Sequence, residues 1–184
     1  MIDAEDLFAL DVDELLDALS GDDPAPGSGS AAALVVAMAA ALVSKAARRS
    51  REVWPEAAGA TAQAHALRLR AAPLAVADAR AFREALDRIE QPAGQDHLLG
   101  AALAQSVDVP LQILQAAADV AALAREVAAN CDPVSRADAI GAGHLAAAAV
   151  RAAAHLVEVN LGATADDPRV AAAQAVVRSL HVGA

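Results

Sequence analysis

The sequence PAPGSGS, Pro24 to Ser30, runs directly into AAALVVAMAAALV, residues 31–43. Prolines and glycines this close together are typical of a turn. The apolar residues that follow lie on every side of a helix, which is typical of a helix packed at the centre of a protein. This stretch therefore predicts a fold built around a buried helix, from about Gly29 to Arg49, that is entered from a glycine-rich turn.

The composition of the 184-residue chain favours the same fold class. Hydrophobic residues make up 57% of the chain but aromatic residues only 2%, and alanine supplies most of the difference. Alanine is the strongest helix former, and alanine-lined helices must approach closely to fill a core. We expect an all-α protein, one domain over residues 1–184, in which about six helices form a bundle. Alanine on several helix faces also predicts a homodimer or a larger oligomer.

The helices follow from apolar periodicity and from the prolines and glycines between them. Asp11 is a candidate N-cap of the first helix, and Gly162 a candidate C-cap of the fifth. Pro73 predicts a kink or break in the third helix. Pro110 either starts a new helix or kinks one long helix. The predicted helical regions are about 12–19, 29–49, 55–89, 95–129, 135–161 and 168–180.

The net charge, the longest apolar run and the N-terminal sequence indicate which partners and which location to expect. The net charge of −10 disfavours binding to nucleic acids or anionic membranes. The longest apolar run, Ala31 to Val43, is shorter than the roughly 20 residues that span a bilayer. Cys131 is the only cysteine, and the acidic N-terminus does not resemble a signal peptide. We therefore expect a cytoplasmic protein that binds neither nucleic acid nor membrane.

The turn itself is a candidate binding site. Gly27 and Gly29 would let the backbone bend sharply and let a ligand approach, and the free N–H groups of a helix start would face that ligand. Ser28 or Ser30 could cap the helix. The alternative is an ordinary loop with a serine cap. A phosphate-binding P-loop is excluded, because Gly-Lys-Ser/Thr is absent.

Two aspartates lie on apolar helix stripes. Asp78 is flanked at helical spacing by apolar residues, so burial should raise its pKa and suit it to acid/base catalysis. Alternatively it is partly exposed at the edge of the stripe, or paired with Arg80 or Arg83 on the helix surface. Asp138 lies in the first turn of the fifth helix, where a carboxylate is also favoured by the helix dipole alone.

The remaining polar clusters are weaker candidates for a binding site or a metal site. Lys45, Arg48, Arg49 and Arg51 could attract an anionic substrate tail or simply be a solvated helix end. His144 and His155 are too far apart along one helix to share a metal ion, at ~1.5 Å per residue. We therefore expect no metal site.

Several blocks resemble the formiminotransferase-cyclodeaminase family, in particular its cyclodeaminase domain, which also occurs alone as methenyltetrahydrofolate cyclohydrolase-like proteins. Residues 24–43 resemble Pro-x-Pro-Gly-Gly-Gly-Ser-x-x-Ala, and residues 74–82 resemble Asp-x-Asp-Ala-x-Ala-Phe. Val109-Pro-Leu111 is similar to a mid-chain block, Asp138 to a Ser-Asp pair, and residues 157–161 to a closing Asn-Val-x-Ile-Asn. The blocks occur in the family's order over nearly the whole chain.

The resemblance implies an all-α homodimer that acts on a tetrahydrofolate derivative as substrate, without a metal or other cofactor. Asp78 would be the acid/base of a cyclodeaminase or cyclohydrolase. The residues implied to bind the folate are Pro26, Gly27, Ser28, Gly29, Ser30, Asp138 and Asn160.

The chain also departs from the family pattern. Ser28 replaces the middle glycine, Val76 the first aspartate of its pair, Ala137 a serine and Leu156 an asparagine. If the catalytic aspartate were the one replaced by Val76, the acid would be lost. The alternative hypothesis is therefore a diverged, non-catalytic helical dimer that serves as a binding or assembly module.

Overall fold

The computed structural model describes residues 7–89, 96–161 and 167–180. These residues form helices and turns without a strand, and the predicted all-α fold is confirmed. A short 3-10 helix, Pro133–Ser135, precedes the fifth α-helix. The α-helices of the described residues are α1 Val12–Ser20, α2 Ser28–Arg49, α3 Ala57–Ile89, α4 Asp96–Asn130, α5 Arg136–Leu161 and α6 Pro168–Ser179.

Helix α1 begins where the sequence predicts. The Asp11 side chain accepts a hydrogen bond from the backbone N–H of Glu14, and the Glu14 carboxylate accepts one from the N–H of Asp11. This reciprocal capping box satisfies two N–H groups that a helix start leaves without partners. The predicted C-cap Gly162 lies outside the described residues.

Neither internal proline ends its helix. Pro73 lies inside α3 and Pro110 inside α4, and both helices continue on either side. Of the two alternatives for Pro110, the single long helix is the one observed. Of the kink or break predicted at Pro73, the break does not occur, since α3 continues through the proline. Packing of α3 against α2 and α4, and of α4 against α5, offsets the hydrogen bond that each proline removes.

Helix α2 packs against α3, α4 and α5. Its inward side chains, among them Ala33, Val36, Ala40 and Val43, are fully buried and small, which lets the helix axes approach closely. The prediction that α2 is buried on all sides is wrong for the single chain, because Met38 is 55% exposed. Three neighbouring helices cover only part of the circumference of α2.

By length and composition alone, three helical stretches of the described chain could cross a membrane: Ser28–Arg49, Ser106–Asn130 and Pro133–Leu161. Each contributes side chains to one shared core, including Val36, Val120 and Val150. Part of their apolar surface is thus used for packing within the protein.

Candidate functional site

The turn before α2 is held against α3. The peptide between Ala25 and Pro26 is cis, and both residues are buried. The guanidinium of Arg83, on α3, donates a hydrogen bond to the carbonyl oxygen of Ala25 over 2.7 Å. The turn is therefore packed and bonded rather than an exposed loop.

Helix α2 has no side-chain cap of its own. Its N-cap is Gly27, and no side chain of the turn accepts from the first N–H groups of the helix. Instead, the carboxylate of Asp78, on α3, lies beside this helix start, where it accepts a hydrogen bond from the Ser30 hydroxyl and its charged form is stabilised by the Ser30 backbone N–H. The predicted cap by Ser28 or Ser30 is wrong, because an acid from another helix takes that place. A carboxylate there is also favoured by the positive end of the helix dipole.

Gly29 lets that carboxylate approach. A Cβ atom at Gly29 would lie within 2.6 Å of the Cγ and both Oδ atoms of Asp78, closer than real atoms approach. A Cβ at Gly27 would meet nothing nearer than the carbonyl oxygen of Pro24, at an ordinary 3.7 Å. The missing side chain of Gly29 therefore permits a close approach, as the sequence predicts. The group that approaches in the structure is the carboxylate of Asp78 rather than a ligand.

Ser30 completes the surroundings of Asp78. Its side chain is fully buried, and its Oγ lies 2.9 Å from the carbonyl oxygen of Ala75 and 3.1 Å from Oδ2 of Asp78. Burial raises the pKa of Asp78 above its ordinary value, and the hydrogen bonds from the Ser30 side chain and backbone partly offset the rise. Asp78 is therefore poised to hold its proton at a higher pH than a surface aspartate does.

Asp78 faces a cavity of about 270 Å³ between the start of α2 and helices α3, α4 and α5. Most of its wall is apolar, and Asp78 is the single ionisable side chain among the described residues that line it. The lining residues are Pro24, Gly27, Ser28, Gly29, Asp78, Ala81, Phe82, Ser106, Leu156, Val159 and Asn160. An isolated acid in an apolar cavity is suited to proton transfer.

Several predicted site residues meet at this cavity: Gly27, Ser28, Gly29, Asp78 and Asn160. The Asn160 side-chain amide donates a hydrogen bond to the carbonyl oxygen of Ser106, which fixes it against α4. Pro26 and Ser30 are buried behind the wall and do not line it.

Asp138 is not part of this cavity. It precedes Asn160 by 22 residues on α5, about 33 Å along the axis at ~1.5 Å per residue. Its carboxylate pairs with Lys45, near the other end of α2, at 2.8 Å. The expectation that Asp138 shares a pocket with Gly29 is therefore corrected, because a helix of this length separates its two ends.

Phe82 is one of six lining residues that the sequence did not place in the site; the others are Pro24, Ala81, Ser106, Leu156 and Val159. It follows Asp78 by four residues, so both side chains leave α3 on one face. Phe82 is 40% exposed, although the chain has few aromatic residues to spare. The spacing of four from Asp78 and the scarcity of aromatic residues are signals in the sequence that could have identified it. Ser106 and Val159, in contrast, reach the cavity only through tertiary packing, which spacing along the chain does not show.

The departures from the family pattern lie in different places. Val76 packs with Leu7, Ala25 and Ala79 in a small cluster beneath α1, away from the cavity. Leu156 lines the cavity and makes that wall apolar. Ala137 is exposed, next to Asp138. The replaced aspartate at position 76 therefore does not remove the acid that faces the cavity.

The remaining polar candidates lie elsewhere. Lys45 is bound to Asp138, and Arg48 and Arg49 are exposed at the end of α2, so the basic cluster is far from the cavity. Among the described residues, no three His, Cys, Asp or Glu side chains lie together in a way that could hold a metal ion.

Known proteins resemble this chain in sequence and in fold. The family described as formiminotransferase-cyclodeaminase matches residues 11–179. The crystal structure of formiminotetrahydrofolate cyclodeaminase from Thermotoga maritima is similar, with a TM-score of 0.83 and 22% identity over 96% of this chain and 91% of that chain. No curated protein matches the chain. At this identity, the structural similarity shows a shared helical fold.

Proposed function

Because the chain belongs to the formiminotransferase-cyclodeaminase family, we propose that it is a folate one-carbon enzyme that converts 5-formiminotetrahydrofolate to 5,10-methenyltetrahydrofolate and ammonia. The observation that carries the proposal is Asp78, an isolated acid with a raised pKa, facing a cavity built on the family's glycine turn. Hydrolysis of 5,10-methenyltetrahydrofolate uses a related one-carbon centre and is the second reaction of the proposal.

The proposed reaction needs a proton moved between two nitrogens. With the formimino group as its amidinium cation, N10 of the folate attacks the amidinium carbon and a new C–N bond forms. Asp78 takes the proton from N10 and passes it to the NH2 group. The bond from carbon to that nitrogen then breaks, ammonia leaves, and the positive charge remains on the methenyl group. Acid/base catalysis of this kind contributes about 10²–10⁴-fold to rate.

The cavity suits the reacting part of such a substrate. At about 270 Å³, it is slightly smaller than the roughly 300–1,000 Å³ of small-molecule sites. In the proposal it holds the ring system around N5 and N10, and the rest of the folate extends outward. Phe82 would pack against the pterin ring, and the side-chain oxygen of Asn160 would accept a hydrogen bond from it.

The proposal includes no metal and no cofactor besides the folate substrate, and a cytoplasmic location. It also includes a homodimer, in which the second copy covers the outward face of α2. That face carries Leu34, Met38 and Ala41 at helical spacing, and Met38 and Ala41 are exposed in the single chain. Such a row of apolar side chains is typical of a helix that packs against a partner.

The test is turnover by purified protein. We expect ammonia release together with the absorbance of the methenyl product when 5-formiminotetrahydrofolate is added, and loss of both in Asp78→Asn. If neither 5-formiminotetrahydrofolate nor 5,10-methenyltetrahydrofolate reacts faster than without protein, the proposal is wrong. Tight folate binding without turnover would instead support the alternative of a non-catalytic binding module.

A further inference from the structure

The Ser30 hydroxyl lies near two hydrogen-bond acceptors but can donate to only one of them. This hydroxyl carries one proton, yet Oγ lies within hydrogen-bond distance of two oxygens, the carbonyl of Ala75 and Oδ2 of Asp78. The side chain is fully buried. A buried hydroxyl that donates to one oxygen is stabilised at the second only if that oxygen brings a proton of its own. The geometry at Ser30 therefore depends on whether Asp78 is protonated.

Ser50, at the other end of α2, shows the arrangement without this ambiguity. It is also fully buried, and its hydroxyl donates to the carbonyl oxygen of Ala46 over 2.8 Å. Its second partner is the backbone N–H of Asp132, a group that can only donate. Ser50 thus always donates once and accepts once. Ser30 has the same pattern only while Asp78 carries a proton to donate.

We propose that Ser30 is a positioning residue whose hydroxyl turns from the Ala75 carbonyl to the Asp78 carboxylate when Asp78 gives up its proton. In the neutral state, Asp78 donates to Ser30, and Ser30 donates to Ala75. In the ionised state, the Ser30 hydroxyl and backbone N–H both donate to Asp78. The Ala75 carbonyl keeps its own bond within α3, so no buried group loses all its partners.

Few other charges act on this exchange. The cavity wall facing Asp78 from α2, α4 and α5 holds no second ionisable side chain among the described lining residues. On α3, Arg83 directs its guanidinium to the carbonyl oxygen of Ala25. On α5, Glu158 contacts His155 and Gln174. The groups of Ser30 are therefore the ones close enough to Asp78 to change their hydrogen bonding when its charge changes.

The role in turnover rests on the proposed function, but the exchange itself belongs to the free protein. It can be measured by following the Asp78 Cγ resonance against pH in protein labelled with ¹³C-aspartate, the signal being assigned by its loss in Asp78→Asn. In Ser30→Ala the ionised carboxylate loses a charge-assisted hydrogen bond. We expect the titration midpoint of Asp78 to move to higher pH.

Ser50→Ala is the matched control, because it removes an equally buried hydroxyl at the other end of the same helix. We expect it to leave the Asp78 midpoint unchanged, whatever it does to stability. Ser30→Cys keeps most of the volume and supplies only a weak donor. It should move the titration midpoint of Asp78 in the same direction by a smaller amount. This variant provides the test if Ser30→Ala does not fold.

An unchanged or lowered midpoint in the Ser30 variants, or an equal shift in Ser50→Ala, overturns the inference. Because no folate is added, the outcome is separate from that of the turnover assay. A midpoint that depends on Ser30 in a protein without turnover would reject the proposed reaction and keep the exchange. Turnover with a midpoint independent of Ser30 would reject the exchange alone.

Discussion

The α-carbon of Gly29 and the carboxylate of Asp78 lie so close that no side chain fits between them. Two elements distant in sequence, the start of α2 and the middle of α3, are thereby fitted to each other at the candidate site. A side chain at Gly29 would force Asp78 to shift, whereas a Cβ at Gly27 would displace nothing.

Gly29→Ala should therefore damage the protein much more than Gly27→Ala. The added methyl group must push Asp78 or the helices apart, and such overpacking costs about 1–3 kcal/mol of unfolding free energy. At Gly27 the backbone is extended and a Cβ would make only an ordinary van der Waals contact with the carbonyl oxygen of Pro24, so we expect only a small change. Urea unfolding of both variants measures the difference, and equal losses would contradict the close contact.

Asp78→Asn should change how stability depends on pH. Because the pKa of Asp78 is raised in the folded protein, its contribution to stability is complete below the unfolded value of 3.8. That contribution is lost as pH rises through the higher folded pKa. The asparagine variant has no such titration. Its unfolding free energy should therefore increase relative to that of the wild type as pH rises. Parallel pH profiles of the two proteins would contradict the raised pKa.

The Lys45–Asp138 pair should be dispensable for the proposed reaction. Both side chains are partly exposed, at 48% and 36%, and such pairs contribute about 0–1 kcal/mol. Asp138→Asn should therefore lower the unfolding free energy slightly and leave folate turnover unchanged, in contrast to Asp78→Asn. A large loss of turnover with intact folding would return Asp138 to the site.

Met38→Glu tests the proposed homodimer. A carboxylate on the outward face of α2 would be desolvated in a dimer but solvated in a single chain. We expect the variant to be monomeric by light scattering at concentrations where the wild type is dimeric. Leu69→Glu is the control, since Leu69 is similarly exposed, at 56%, on α3. Dimers that withstand Met38→Glu would exclude this face.

Much of the fold could be predicted because local signals decide it. Alanine content and apolar periodicity indicate helices, and Asp11 with Glu14 caps α1 where the sequence places it. Of the kink or break predicted at Pro73, the break does not occur, because the packing of α3 against α2 and α4 outweighs one lost hydrogen bond.

The site was only partly predictable, since it joins residues from four helices. The turn and Asp78 are recognisable by their local sequence. The position of Asp138 in space is not recognisable in this way. A sequence block that matches the family shows where a residue lies along the chain, but not how far it lies from other residues across the bundle. Likewise, no spacing indicates that Val76 faces α1 while Leu156 faces the cavity.

The bond from Arg83 to the Ala25 carbonyl has a mechanical consequence. The turn that forms one wall of the cavity is fastened to the same helix that carries Asp78. A displacement of this wall would therefore strain the hydrogen bond to α3, the helix that also carries Asp78. The spacing of the wall from the acid thus depends on α3 as well as on the turn.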